Sequence, residues 1–87
     1  MLIMKEIIFS EHSKDSMRKR GVTEDEVRTA ISKAPWQPSK WKRLECALEF
    51  DYNKEWNGKL YRTKQVIPVF IEEEQKITVI TVFAFYF

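Results

Sequence analysis

The spacing of apolar positions changes along the chain and divides it into a helical half and a stranded half. Residues 7–9, Ile-Ile-Phe, predict a short first strand, and Ser10 stands where a helix beginning at Glu11 takes its N-cap. The helix that follows, EHSKDSMRKR, offers Met17 as its one large apolar side chain, a narrower stripe than a helix that only packs would show. Gly21 predicts its left-handed stop. Thr23 with Glu26 has the spacing of a capping box, and Val22 with Val27 that of a hydrophobic staple. Val27, Ala30, Ile31 and Ala34 then give a second helix one apolar face, until Pro35 ends it.

After WQPSKWKR, which reads as a loop, the period becomes two. Leu44, Cys46, Leu48 and Phe50 alternate with Glu45, Ala47, Glu49 and Asp51, the pattern of a strand with one buried face. Asn57-Gly58 predicts a tight hairpin, with a return strand from Lys59 to Ile71 and a bulge or sheet edge at Pro68. EEEQK makes the next turn. ITVITVFAFYF is apolar or Thr on both faces and predicts a central strand. The expected fold is α+β: two N-terminal helices packed on one face of an antiparallel sheet of three long strands, with a short extra N-terminal strand from residues 7–9. Residues 1–87 make a single domain, helical over 1–35 and sheet over 44–87. Two helices cover only one face of that sheet. Ile80, Val82, Ala84 and Tyr86, with Val66 and Phe70, are therefore expected to leave an apolar outer patch, covered by self-association or by a partner.

Composition adds that the chain is globular, with 44% apolar residues and only two glycines. The lone Cys46 permits no disulfide framework and reads as a buried thiol of a reducing, cytoplasmic compartment. MLIMKEIIF is too short and too quickly charged for a signal peptide, and no apolar run approaches the ~20 residues of a membrane helix. The net charge of +2 is unevenly spread: residues 1–43 carry ten Lys or Arg against six Asp or Glu, and residues 44–87 carry five against seven. The basic half can face an anion.

One His and one Cys make no zinc site, and no glycine-rich phosphate loop is present, so no metal or cofactor is expected. On a helical wheel His12, Ser16 and Arg20 share one stripe beside Ser13 and Met17, a candidate groove for an extended anionic ligand. His12 is either a general acid or base or a helix-terminal residue bonded locally. Arg20 either binds an anion or complements the helix dipole. Tyr61, Arg62 and Lys64 follow the hairpin turn, with Tyr86 expected near Arg62. They form either a second half of a site or a solvated strand edge in which Asp51 pairs with Lys64. Trp36, Trp41 and Trp56 either stack on RNA bases or close the end of the core. Arg62 and Tyr86 are expected on the sheet face away from the helices, so sharing a site with His12 and Arg20 requires the first helix to overhang a sheet edge.

His12, Met17, Arg20, Gly21 and Val22, followed by TEDEV and the closing ITVITVF, resemble a family of small prokaryotic proteins. Its motif runs His-Ala-x-x-Arg-Met-x-x-Arg-Gly-Ile before a capped helix and β-strands. Ser13 and Ser16 stand here for the motif's Ala and first Arg. That family is similar to ribonuclease toxins of the BrnT and RelE type. The resemblance implies a toxin-like, metal-independent ribonuclease of a toxin–antitoxin system, in which the RNA 2′-OH attacks the adjacent phosphate. By it, His12, Arg20, Arg62, Lys64 and Tyr86 are catalytic candidates, and RNA and a cognate antitoxin are the partners. The alternative is a non-catalytic RNA- or protein-binding domain of the same fold.

Overall fold

The structure, a computed structural model, describes residues 5–87. Readings that involve residues 1–4, at the start of MLIMKEIIF, lie outside the described residues. The elements run β1 (Glu6–Phe9), α1 (Glu11–Arg20), α2 (Glu24–Lys33), β2 (Gln37–Pro38), β3 (Leu44–Glu45), β4 (Leu48–Trp56), β5 (Lys59–Glu72) and β6 (Lys76–Tyr86). Both helices begin and end where the local signals place them. The Ser10 hydroxyl accepts from the Ser13 N–H at 3.1 Å, and Gly21 stops α1 at φ +71°. At α2 both bonds of the capping box form, Glu26 N–H to Thr23 Oγ1 at 3.1 Å and Thr23 N–H to Glu26 Oε1 at 2.9 Å.

The fold is α+β with a mostly antiparallel sheet, but the three long strands β4, β5 and β6 are part of a six-stranded sheet. Two additions account for the difference. β1 lies parallel to β6, Glu6 opposite Lys76 through Phe9 opposite Val79, a pairing that requires a crossover of the kind the helices begin. The segment read as a loop instead folds into a hairpin, β2 against β3, whose second arm pairs with β5 through Leu44–Phe70 and Glu45–Val69.

β3 and β4 lie along the same edge of β5 and are separated by Cys46 and Ala47. By register, Cys46 falls opposite Pro68, which has no N–H to give. The Cys46 N–H still reaches the Pro68 carbonyl at 3.4 Å, but the reciprocal bond cannot form. Pro68 itself is buried in an interior strand. The bulge lies beside it, where Val69 faces Thr81 and Phe70 faces Val79, leaving Ile80 without a partner on β5.

That bulge decides which residues face the helices. Val66 and Phe70 on β5, and Ile77, Val79 and Val82 on β6, are fully buried with Val27, Ala30 and Ile31 of α2 and Met17 of α1. Trp36 closes this core, its ring edge-on to Phe70 at 5.0 Å and its indole N–H donating to the Ile31 carbonyl. The expected outer patch of Ile80, Val82, Ala84, Tyr86, Val66 and Phe70 is thereby corrected: the even positions from Val82 onward face inward, and Phe83, Phe85 and Phe87 face out. A strand apolar on both faces carries no signal for its own parity, and one bulge reverses it.

α1 occupies an edge rather than a face. β1 pairs with β6 only as far as Val79, and from there α1 takes the neighbouring place. The Ser10 N–H bonds the Val79 carbonyl, the Ser10 hydroxyl bonds the Ile80 carbonyl, and the Ser16 and Thr81 hydroxyls meet at 3.1 Å. This is the overhang that a shared site requires, and it bears on the polar character of α1: its small buried serines find partners there, Ser13 in the Ser10 carbonyl and Ser16 in the Thr81 hydroxyl. No helix among the described residues is long and apolar enough to cross a membrane.

Removing the cap of α2 should cost stability alone. Thr23→Ala is expected to lower the free energy of unfolding by about 1 kcal/mol, read from urea denaturation, with an unchanged denaturant slope.

Candidate functional site

Where strand β5 would carry its next core residue, it carries Lys64. Only 3% exposed, Lys64 shares the inward parity of Val66 and Pro68. A buried ammonium costs several kcal/mol unless its charge and its donors are matched. Lys64 Nζ is matched by Glu26 Oε1 at 2.8 Å and by the Gly21 carbonyl, with the rings of Tyr52 and Tyr86 5.6 and 5.9 Å away. The expected pair with Asp51 does not form: Asp51 lies opposite Thr63, and Phe50 lies opposite Lys64. Lys64 ties the α1–α2 turn to the sheet.

Tyr86 lies directly opposite Lys64 on β6, two residues along β5 from its expected place near Arg62, and it points toward the helices rather than away. Its hydroxyl donates to the Arg20 carbonyl at 2.5 Å. Trp56 stacks on its ring at 5.0 Å, and Tyr52 and Tyr61 approach at 5.2 and 5.7 Å. Burial, with smaller contributions from the neighbouring Tyr52 and Glu26, pushes the Tyr86 phenol up to about 12. Gly21 completes the enclosure. A Cβ there would stand 2.5 Å from Trp56 Cζ3 and 3.0 Å from the Tyr86 hydroxyl, so both its positive φ and the aromatic wall exclude a side chain.

The five expected catalytic residues thus divide. Lys64, Tyr86 and the backbone of Arg20 come together at the C-terminal end of α1, with polar atoms engaged in holding the fold. His12 is exposed in the first turn of α1, about 12 Å along the axis from Arg20, so it does not join them. The expected groove between the two is filled: Ser13 and Ser16 are buried, bonded to the Ser10 carbonyl and to Thr81. Arg62 is exposed and lines a shallow groove of about 350 Å³ with Asn53, Leu60 and Tyr61, while its N–H bonds the Phe87 carbonyl.

The Arg20 side chain leaves the cluster for the other face of the sheet, where its guanidinium lies over the Phe83 ring at 5.2 Å. Phe83 and Phe85 on the outer face of β6 and Phe87 just beyond its end, 40%, 54% and 56% exposed, follow one another at alternate positions. Beside them on β5 run Ile67, Gln65 and Thr63, and beyond those the acidic Glu49 and Asp51 of β4. The pattern of apolar positions does not mark this aromatic row as exposed. The alternation FAFYF was its signal, with Phe at every second place, obscured by Tyr86 and Ala84 being apolar too. Likewise nothing local marks Glu26, Tyr52 and Trp56 as partners of Lys64 and Tyr86, although a lysine two residues before Val66 at inward parity calls for a counter-charge.

Comparison with protein families, with curated proteins and with solved structures finds no match to this chain.

The burial of Tyr86 gives the fold an alkaline limit. Because the phenol's folded value of about 12 exceeds its ordinary 10, its contribution is fully present below pH 10 and is lost as pH rises toward 12. In an ultraviolet pH titration, Tyr86 should ionise late and together with unfolding. Tyr86→Phe should remove that late step and lower stability at neutral pH; a phenol step lost in Tyr86→Phe that lies near 10 would contradict the assignment.

Proposed function

We propose that the domain is a non-catalytic module that binds single-stranded RNA on the outer face of its sheet. The observation that carries this reading is the exposed row Phe83, Phe85 and Phe87, headed by the Arg20 guanidinium. Alternate residues of a strand stand about 7 Å apart on one face, which presents three rings in line to an extended polymer. Stacking of a base on such a ring is worth about 1–3 kcal/mol, and cations beside the rings follow the phosphates. Arg20 supplies that charge at the Phe83 end, and the Arg62 backbone bond to Phe87 puts a second arginine at the other. Glu49 and Asp51, two strands away, keep the anionic backbone on the β6 side. The rings serve any base; RNA as the polymer follows from the family resemblance.

A toxin-like ribonuclease is the second reading, favoured by Arg20, whose side chain reaches the face where RNA would lie. In that reading a cognate antitoxin covers the same apolar row.

Fluorescence anisotropy with a labelled single-stranded RNA decides between them. The expected result is salt-sensitive binding of intact RNA, weakened about tenfold by Phe85→Ala, equivalent to about 1.4 kcal/mol of lost stacking. RNA cut by the wild type and cut ~10²-fold more slowly by His12→Ala would turn the conclusion to the ribonuclease. Neither binding nor cleavage would overturn both.

A further inference from the structure

Four non-glycine residues among those described have positive φ: Asn53, Asn57, Trp41 and Lys42. Asn adopts that conformation readily, whereas Trp and Lys do not. Trp41 and Lys42 are adjacent, at the tip of the β2–β3 hairpin, where the Arg43 N–H bonds the Lys40 carbonyl and both central residues of the turn are left-handed. Tight hairpin turns of this hand ordinarily use Asn-Gly, as the β4–β5 turn does with Asn57 and Gly58. Burial does not compensate here, because Trp41 is 82% exposed. The other two tryptophans are engaged, Trp36 on the core and Trp56 on Tyr86. A strained turn that displays an unpacked indole between two lysines is a combination stability alone does not favour.

The tip is continuous with the aromatic row. A groove of about 570 Å³ with Pro38, Ser39 and Lys40 on one side and Val69 and Phe83 on the other runs between them, with Glu45 in its wall. Glu45 repels a phosphate from the groove itself and leaves the anionic backbone to the lysines outside it.

We propose that the Lys40–Arg43 tip is a second contact for single-stranded RNA, in which Trp41 stacks on a base and Lys40 and Lys42 hold its flanking phosphates. The strand then passes along the groove onto Phe83. This rests on the RNA reading of the sheet face. It extends that reading to a nucleotide beyond the row, and it gives the turn's strain a purpose: the left-handed pair turns the indole out of the hairpin.

The test combines RNA anisotropy with acrylamide quenching of tryptophan fluorescence, which Trp41 should dominate. Oligouridylate should shield Trp41 from the quencher. Trp41→Ala should weaken binding about tenfold, with Trp41→Phe restoring most of it. Trp41→Gly should bind as weakly as Trp41→Ala yet raise the Tm by about 4–8 °C, because Gly relieves the left-handed turn. RNA bound equally by wild type and Trp41→Ala would overturn the tip contact and leave the sheet-face reading intact. RNA bound by neither would remove both. Shielding of Trp41 by vesicles of 30% phosphatidylglycerol, but not by RNA, would make the tip a membrane contact and overturn the proposal. A Trp41→Gly protein melting at or below the wild-type temperature would remove the strain argument.

Discussion

The buried ammonium of Lys64 governs how the two halves of the chain meet. A lysine at a core position of the central strand is tolerated only if other elements bring it an anion and acceptors. The α1–α2 turn brings both: the Gly21 carbonyl left free by the left-handed end of α1, and the Glu26 carboxylate that already closes the capping box of α2. One carboxylate therefore starts a helix and neutralises the sheet's buried charge. Because these bonds fix the turn, they also fix where α1 ends, and with it the Arg20 carbonyl that receives the Tyr86 hydroxyl. The rings of Tyr52 and Tyr86 cover the Lys64 ammonium, while Glu26 keeps 23% of its side chain open to solvent.

This arrangement engages the polar groups on one side of the sheet and leaves aromatic rings exposed on the other. On the helix side the polar atoms of Lys64 and Tyr86 are engaged, and the space that a substrate would need is occupied by Trp56 and Gly21. On the opposite side three phenylalanine rings lie open, with the Arg20 guanidinium over the first. Arg20 belongs to both sides, its carbonyl fixed by Tyr86 and its charge presented outward. That division is possible because α1 lies along the edge of β6, where one residue can address both faces.

The local signals of the sequence were strong where chain neighbours decide the outcome. Ser10, Gly21, the Thr23–Glu26 box and Asn57-Gly58 act within a few residues, and each forms as expected. Leu44, Cys46, Leu48 and Phe50 keep one parity across the break between β3 and β4, and all four pack on the core. What was hidden depends on partners distant in sequence. The break itself is set by Pro68 across the ladder, and the facing of β6 by a bulge at Ile80 that no local pattern marks. Lys64 looked like a strand-edge cation because its counter-charge lies 38 residues earlier. The three expected site residues near one another in space were legible as polar groups, but their engagement with backbone carbonyls and Glu26 was not.

A double-mutant cycle on Lys64→Met and Glu26→Gln, followed by urea denaturation and RNA anisotropy on the same proteins, tests most directly whether Lys64 serves the fold rather than a ligand. Each single substitution should destabilise the domain, with a coupling of about 1–3 kcal/mol between them. RNA affinity should stay within about twofold for every variant that remains folded, since a buried amine makes no phosphate contact. Additive stabilities, or a fully stable Lys64→Met protein that no longer binds RNA, would contradict that structural role.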